Sequence, residues 1–578
     1  MFKQLWRLLR PFQVDYARYL VGTALRQSML VAGGYLLVWA LKAALTKTGA
    51  PEWLFFIGFV LFDAGIVSLD LGMNYLFLSR LGYPLFAHLR SSALAKVLAM
   101  PLDWHYKQDT GALVGKVNNG VGKVVQTAES IGRELAPALI RTTLSLVPLV
   151  LLSPWTALPI IAALLGFLYL TLLENHHRQP FRSVRNENYN RDFGLFAESV
   201  QYIKPVVQFG QTHRILERYQ KVQDNIVRDG LHETRVGNQF SWKRNMLLSV
   251  VKRACQCIWI LQYRQGTLDA ATVMYLNMVT EDLLNSFWTY AVLIERVQEG
   301  MEPARILVKL LNEEPSIRSS EQALAPPCTT AAGIEMVNLR FSYSRGEVVM
   351  KDFSLSIPDG SIVGIVGPSG SGKTTIHNLL ARMFEIQGGE IRVAGHDIRK
   401  WPLESLRGLF SYVSSSDGVF LSEVTLLETI RFARPEATHE QVIEAAKVAC
   451  IHDDIMRMPD RYSTVVGQRG MTLSKGQQQR IALAQALIAL DDKRRVLVLD
   501  EFTSALDSGT EKRILENLLP LLQGRTVIII AHRLSTIQDI TDSIVVLDRG
   551  QIIEQGTHDE LVRQGGWYAR MVQLQAAA

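Results

Sequence analysis

Between residues 16 and 294 the chain carries six predominantly apolar stretches, near 16–41, 53–79, 132–153, 154–175, 245–263 and 269–294. About 20 such residues cross the hydrocarbon core of a bilayer as a helix. By length and composition each stretch reads as a membrane-spanning helix. Ser153-Pro154-Trp155 leaves room for no more than a tight turn between the third and fourth. The segments after the second and fourth stretches are long and basic, with Arg90, Lys96, Lys107, Lys116 and Lys123 in one and Arg178, Arg182, Arg185, Arg191 and Lys204 in the other. Loops on the opposite side are short. A positive-inside bias orients the spans, although it weighs less for such long loops. Met1–Phe12 (MFKQLWRLLRPF) is basic and amphipathic and lacks a signal-peptide cleavage pattern. It reads as a helix on the membrane surface, with Trp6 and the leucines in lipid; a soluble first helix is the alternative.

The spans are not clean. Arg26, Arg141, Lys252 and Arg253 fall inside them, as do Asp63, Asp70, Glu281 and Asp282. Charged groups at that depth are costly and face a bundle interior or a wet cavity. Two readings stay open, a polar substrate path and internal ion pairing. Because the four acids balance the four bases, the substrate's charge cannot be read from them.

The second half reads as an ordinary globular domain. Residues 294–312 continue the last span as a helix, and Glu321–Ala332 (EQALAPPCTTAA) is a low-complexity stretch with Pro326-Pro327. The expected division is a membrane domain over 1–315, a linker over 316–333 and a second domain over 334–578. The formal charge of +6 is too small to argue for nucleic acid. Cys255, Cys257, Cys328 and Cys450 have no metal-finger spacing, and the first two read as small apolar residues.

Ser361–Val366 is a short apolar strand, followed by Gly367-Pro368-Ser369-Gly370-Ser371-Gly372-Lys373-Thr374 and a helix from Thr375. This is G-x-x-x-x-G-K-[ST] in its strand–loop–helix context. The glycines let backbone N–H groups approach phosphates, Lys373 supplies charge, and the Thr374 hydroxyl suits Mg²⁺. The helix N-terminus adds its dipole. A dinucleotide-binding reading fails on the Lys-Thr ending. Val496–Leu499 is a buried strand that ends in Asp500-Glu501. Asp500 suits the shell of Mg²⁺, and Glu501 is placed to polarise an attacking water.

Leu473-Ser474-Lys475-Gly476-Gln477 precedes a helix and resembles the LSGGQ signature of ABC transporters. The resemblance runs the whole chain and is to half-transporters of the exporter type (type IV, ABC-B-like). Ser504-Ala505-Leu506-Asp507 is similar to the family's D-loop, and Ala531-His532-Arg533 to its switch histidine. Tyr343 stands where the family stacks an aromatic ring on adenine. Thr464–Gly470 resembles the segment that faces the membrane domain. Gly111–Val124 and Phe193–Gly210 resemble the two coupling-helix regions.

The resemblance implies a membrane α-helical domain of six transmembrane helices with long cytosolic extensions, fused to an α/β P-loop ABC ATPase domain. It implies ATP and Mg²⁺ as cofactors. Nucleotide contacts are expected from Tyr343, from Gly367 through Thr375, and from Ser474, Lys475, Gly476, Gln477 and Asp507. Catalysis is expected from Glu501 and His532, and metal binding from Thr374, Asp500 and, weakly, Ser415. The Ser474–Gly476 loop is expected to meet nucleotide held by a second half-transporter. The cargo is a small molecule, lipid or peptide, with membrane lipids around the spans and no nucleic-acid partner. The protein is a multi-pass membrane protein, placed in a bacterial cytoplasmic membrane with both termini and the ATPase domain in the cytosol.

Three positions depart from the family. Ser415 stands where a glutamine is usual, Lys475 replaces a signature glycine, and Gln468 replaces a common glutamate. These could mark the degenerate half of a heterodimer. Lys373, Asp500, Glu501 and His532 are all present, which favours an active homodimer and leaves the heterodimer open. The motifs do not write direction. Export is the leading reading; import on the same fold and an ATP-gated regulatory protein stand beside it. A soluble ABC ATPase is excluded by the spans.

Overall fold

The computed structural model describes residues 10–45, 52–108, 110–318, 332–343, 346, 348–413, 423–466, 473–491 and 495–576. Most of Met1–Phe12, most of the 316–333 linker, Ser415 and Gln468 lie outside them. The chain divides into two compact units: Met1–Ala99 with Gln108–Glu314, and Met100–Lys107 with Pro315–Ala578.

Long helices build the first unit. Gln13–Leu45 and Glu52–Phe77 cover the first two predicted spans. Five residues of π-helix, Leu78–Gly82, join the second to Tyr83–Leu98. A second π-helical segment, Ile131–Leu135, joins Thr110–Ser130 to Ala136–Leu152. The chain then breaks at Ser153, which leaves helical backbone, and Pro154 opens the helix Pro154–Gln201. Proline suits that first position because its missing N–H would have no partner there. Thr212–Arg264 and Ala270–Asn312 complete the set. Among the described residues, Phe56–Leu98, Leu113–Leu152 and Pro154–Gln201 are long and apolar enough to cross a membrane by length and composition.

Pro154–Gln201, Thr212–Arg264 and Ala270–Asn312 run beyond their apolar stretches, because amphipathic patterns take over where the apolar run ends. Leu85, Leu89 and Ala93 fall at helical spacing and pack with Val121, Val124, Ala128, Ala304 and Leu307. Small residues let two of these helices approach closely. A Cβ on Gly120 would lie 2.9 Å from the Leu307 Cβ and 3.0 Å from the Pro303 carbonyl. A second core sets Phe167, Trp259, Leu283 and Phe287 together from three helices. Cys255 is buried in it, while Cys257 is exposed.

The charges inside the spans are in part paired. Arg26 meets Asp70 at 2.9 Å, Lys252 meets Glu281 at 2.6 Å, and Arg141 donates to Gln27 at 3.2 Å. A denser cluster ties together Pro154–Gln201, Thr212–Arg264 and Ala270–Asn312. Glu233, 1% exposed, accepts from Arg178 and Arg182 at 3.0 and 2.9 Å and also from Arg185. Glu174 pairs with Arg178 and Arg244, and Glu295 with Arg178 and Arg182.

Among its described residues the second unit holds two larger sheets and a two-stranded pair, Val424–Thr425 with Val465–Val466. Six strands lie in the order Gln551–Gly556, Ser543–Asp548, Ile362–Val366, Thr526–Ile530, Val496–Asp500, Phe410–Val413, parallel except for the first. Val496–Asp500 and Thr526–Ile530 are buried along their whole length, as central parallel strands covered on both faces must be. An antiparallel sheet of Val348–Ile357, Ile334–Ser342, Gly388–Val393 and His396–Asp397 lies beside it.

Gly111–Val124, expected as a coupling-helix region, lies inside the helix Thr110–Ser130 of the first unit. The segment that joins the second unit is Met100–Lys107, with the short helix Leu102–Tyr106. There Leu102 packs on the core and Tyr106 stacks on Phe384, ring centroids 6.0 Å apart. Pro101 caps that helix from an extended conformation and so separates it from the helix before. The Thr-Gly pattern marks a helix start and not a turn between helices. In the other region a short helix does form, Ile203–Gln208, with Phe209 76% exposed after it.

Candidate nucleotide site

The site lies at the C-terminal ends of the parallel strands, where such sheets bind their ligands. Register sets it there. Ile365 pairs with Ile530 and Ile530 with Asp500, so three strands end at one level. The residues that follow them are Gly367, Ala531-His532 and Glu501.

The loop after Ile362–Val366 turns on glycine. Gly367, Gly370 and Gly372 have φ of 151°, 79° and 103°. Only glycine takes such angles without strain. A Cβ on Gly367 would also sit 2.0 Å from the Leu547 carbonyl oxygen. The helix begins at Lys373, two residues before the expected Thr375, and ends at Leu380. The Lys373 side chain is buried, and its ammonium donates to the carbonyls of Gly367 and Pro368, both at 2.9 Å. Burial pushes that ammonium below its usual value, and Glu501 and Asp500 draw it back.

The Thr374 hydroxyl donates to Asp500 Oδ2 at 3.2 Å. Burial holds the Asp500 carboxyl above its ordinary value; the Thr374 hydroxyl lowers it and nearby Glu501 raises it further. This hydroxyl–carboxylate pair, beside a phosphate-type loop, is a set of hard oxygen donors that fits Mg²⁺. Glu501 follows with φ of +50°, an uncommon angle for a non-glycine residue. Its N–H donates to the Ile530 carbonyl at 2.9 Å, which fixes the turn. Its side chain then meets His532, Nε2 to Oε1 at 2.7 Å.

Tyr343 lies by the loop helix, its hydroxyl 3.1 Å from Thr375 Oγ1 and its ring edge-on to Phe341 and Phe384. Ser474 caps Lys475–Ala489 in a capping box: Gln477 N–H donates to Ser474 Oγ at 3.2 Å and Ser474 N–H to Gln477 Oε1 at 3.0 Å. Lys475 is exposed, and Gly476 packs close to the Ala505 carbonyl. Asp507, expected at nucleotide, is the cap of Ser508–Leu522: it accepts from the Thr510 N–H at 2.9 Å, which holds its carboxyl below the usual range.

Two residues that the motifs do not point to tie these parts together. Gln479 donates to the Glu501 carbonyl at 2.7 Å and accepts from the Ala505 N–H at 3.0 Å, so the Lys475–Ala489 helix grips the turn after Asp500. Buried Glu511 accepts from Thr503 at 3.0 Å, from Arg533 at 2.7 Å and from Thr536. The Gln477–Gln479 run adjoins the signature, but no spacing in the sequence connects Glu511 to His532.

A family model described as ABC transporter matches residues 350–504, and one described as ABC transporter transmembrane region matches 19–283. The mitochondrial potassium channel ATP-binding subunit of Mus musculus is 32% identical, over 86% of this chain and 69% of that protein. ATP-binding cassette sub-family B member 6 of Xenopus tropicalis is 31% identical over 85% of this chain, which spans only 56% of that relative's length. An uncharacterized ABC transporter ATP-binding protein of Bacillus subtilis, YknV, is 29% identical over 99% of this chain and 94% of its own. A bacterial Atm1-family ABC exporter with ATP bound superposes with a TM-score of 0.87 and 27% identity, covering 99% of each chain.

Proposed function

The chain belongs to the ABC transporter family, as an integral-membrane half-transporter of the exporter type whose ATPase is coupled to transport, and from that premise we propose that two half-transporters enclose two ATP molecules and move a substrate by alternating access. The observation that supports this best is the Glu501–His532 contact at 2.7 Å beside the Lys373 loop and the Thr374–Asp500 pair.

The roles follow from chemistry. The glycine loop and Lys373 hold the phosphates. Lys373 exchanges its two loop carbonyls for phosphate oxygens, which a buried ammonium favours strongly. Thr374 and Asp500 hold Mg²⁺, which when bound neutralises charge on the phosphates. Glu501 accepts a proton from the water that attacks the γ-phosphorus while ADP leaves, and His532 orients the Glu501 carboxylate. The Tyr343 ring stacks on adenine. Ser474 and Gly476 meet the γ-phosphate held by the other subunit, so each site is completed by a partner. Closure of the pair draws on the loops at Leu102–Tyr106 and Ile203–Gln208 and switches the cavity's exposure.

The intact Lys373, Asp500, Glu501 and His532 set favours a homodimer, and the reading places it in a bacterial cytoplasmic membrane with the ATPase unit in the cytosol. The cargo class is a peptide, lipid, drug-like or natural-product compound, moved outward. A second reading, an ATP-gated regulatory protein, takes support from the name of the mouse relative. Inside-out vesicles supplied with ATP separate them. Accumulation of a labelled compound marks export, and ATP-dependent loss marks import. A passive current that persists on ATP binding marks gating and overturns the transport reading.

A further inference from the structure

The last helix of the chain reaches the switch loop. Gln575, on Trp567–Ala576, donates from Nε2 to the His532 carbonyl at 2.7 Å and accepts at Oε1 from the Leu534 N–H at 2.8 Å. One side-chain amide thus closes on the backbone either side of Arg533. The arrangement is chemically selective. A carbonyl needs a donor and an N–H needs an acceptor, and the glutamine amide offers both within one group.

The same loop is held on its other side by Glu511, through Arg533 and Thr536. His532 therefore hangs between two anchors. Its ring meets Glu501 at 2.7 Å, a contact whose length and direction depend on where the backbone at 532 sits. A carboxylate that takes a proton in the transition state needs its orienting partner fixed, and misplacement by about 1 Å costs about a hundredfold in rate.

The helix has anchors other than Gln575: Tyr568, fully buried with its hydroxyl 2.8 Å from His558 Nδ1, Glu554, which accepts from the N–H groups of Trp567 and Tyr568, and Met571 and Val572, packed on the core. Gln575 itself is exposed. An exposed amide spent wholly on the switch loop, on a helix with anchors of its own, has a use at the loop and little at the fold.

We propose that Gln575 is a positioning residue for ATP hydrolysis, acting through His532, so that the C-terminal helix forms part of the ATPase machinery. This rests on the role given to His532 above. The test uses the full chain reconstituted in lipid nanodiscs. Gln575→Glu keeps the shape but faces the His532 carbonyl with a second acceptor; Gln575→Leu removes both bonds. Gln575→Glu lowers kcat about fivefold, the worth of one hydrogen bond, and Gln575→Leu about thirtyfold, the worth of two. KM for ATP, displacement of a fluorescent ATP analogue and melting temperature stay as in the wild type. Gln573→Glu, on the same helix, leaves turnover unchanged. In a His532→Ala background, with residual turnover read from labelled phosphate release, Gln575→Glu has no further effect.

Wild-type kcat in Gln575→Glu, beside a crippled His532→Ala, overturns the proposal alone. So does a loss that adds in full to that of His532→Ala, which marks a role apart from the histidine. Undiminished turnover in His532→Ala overturns the reading of the histidine beneath it, and the proposal with it.

Discussion

Glu501 and Asp500 are neighbours with opposite demands. Glu501 sits at φ +50°, a conformation that costs a non-glycine residue about 1 kcal/mol, held by its N–H bond to Ile530. That turn brings its side chain to His532. Glu501→Gln keeps the shape and removes the base. Turnover is expected to vanish while ATP binding persists, and substantial hydrolysis by the purified variant would sink the assignment. Asp500 is buried, and its carboxyl is held above its ordinary value of 3.8. The folded state therefore binds this proton more tightly than the unfolded state, and ionised Asp500 costs stability. As pH rises above 3.8 the unfolded chain ionises first, so the cost grows until the folded carboxyl also ionises and is then constant. Asp500→Asn, which can still accept from Thr374, should make the nucleotide-free protein more resistant to denaturant at neutral pH than near pH 4, relative to wild type. It should also lose Mg²⁺-dependent nucleotide binding. A stability difference that does not change with pH would rule out this account.

At the scale of elements, two glycines of Thr110–Ser130 behave oppositely. Gly120 lets that helix touch Ala270–Asn312, with the Pro303 carbonyl 3.0 Å from where its Cβ would be; Gly122 has nothing within 4 Å. Gly120→Val should destabilise by about 1–3 kcal/mol through overpacking. Gly122→Ala should stabilise by up to about 1 kcal/mol through helix propensity. Thermal unfolding in detergent reads both signs, and equal shifts would argue against the close crossing. The Glu233 cluster is the other element-level joint. Glu233→Ala leaves three arginines without their shared carboxylate and should cost about 3–5 kcal/mol. The amphipathic stretches outside the spans, legible as helical from residues such as Leu85, Leu89 and Ala93, give no sign of where a helix ends. The break before Leu102–Tyr106 depends on Pro101 and on the packing of Tyr106 against Phe384, a residue far along the chain.

At the scale of the molecule, the capped N-terminus at Ser474 and the Lys373 loop are two halves of different sites if the enclosed-dimer reading holds. Mixing then has a signature. Wild-type chains combined with increasing fractions of Glu501→Gln should lose turnover faster than linearly, because mixed dimers carry one disabled site that the other depends on. Loss in simple proportion to the mutant fraction would mean that the two sites work alone.

What chemistry demands in a contiguous run is legible in the order of the residues. Gly367–Thr374 has to be contiguous for the proposed phosphate loop, and Asp500-Glu501 has to end one strand for the proposed metal ligand and base to be neighbours. Apolar stretches long enough for a bilayer fix a helical membrane domain whatever else the chain does. Tertiary structure alone decided the rest. Glu511, Gln479 and Gln575 act through hydrogen bonds to backbone or side chains that are remote in sequence, and such bonds leave no periodicity or spacing to read. Asp507 carries a D-loop position in the sequence and a helix cap in the fold. The charges of the spans balance on paper. Only packing shows that Arg26 finds Asp70 and Lys252 finds Glu281, because an ion pair depends on distance and the sequence holds only order.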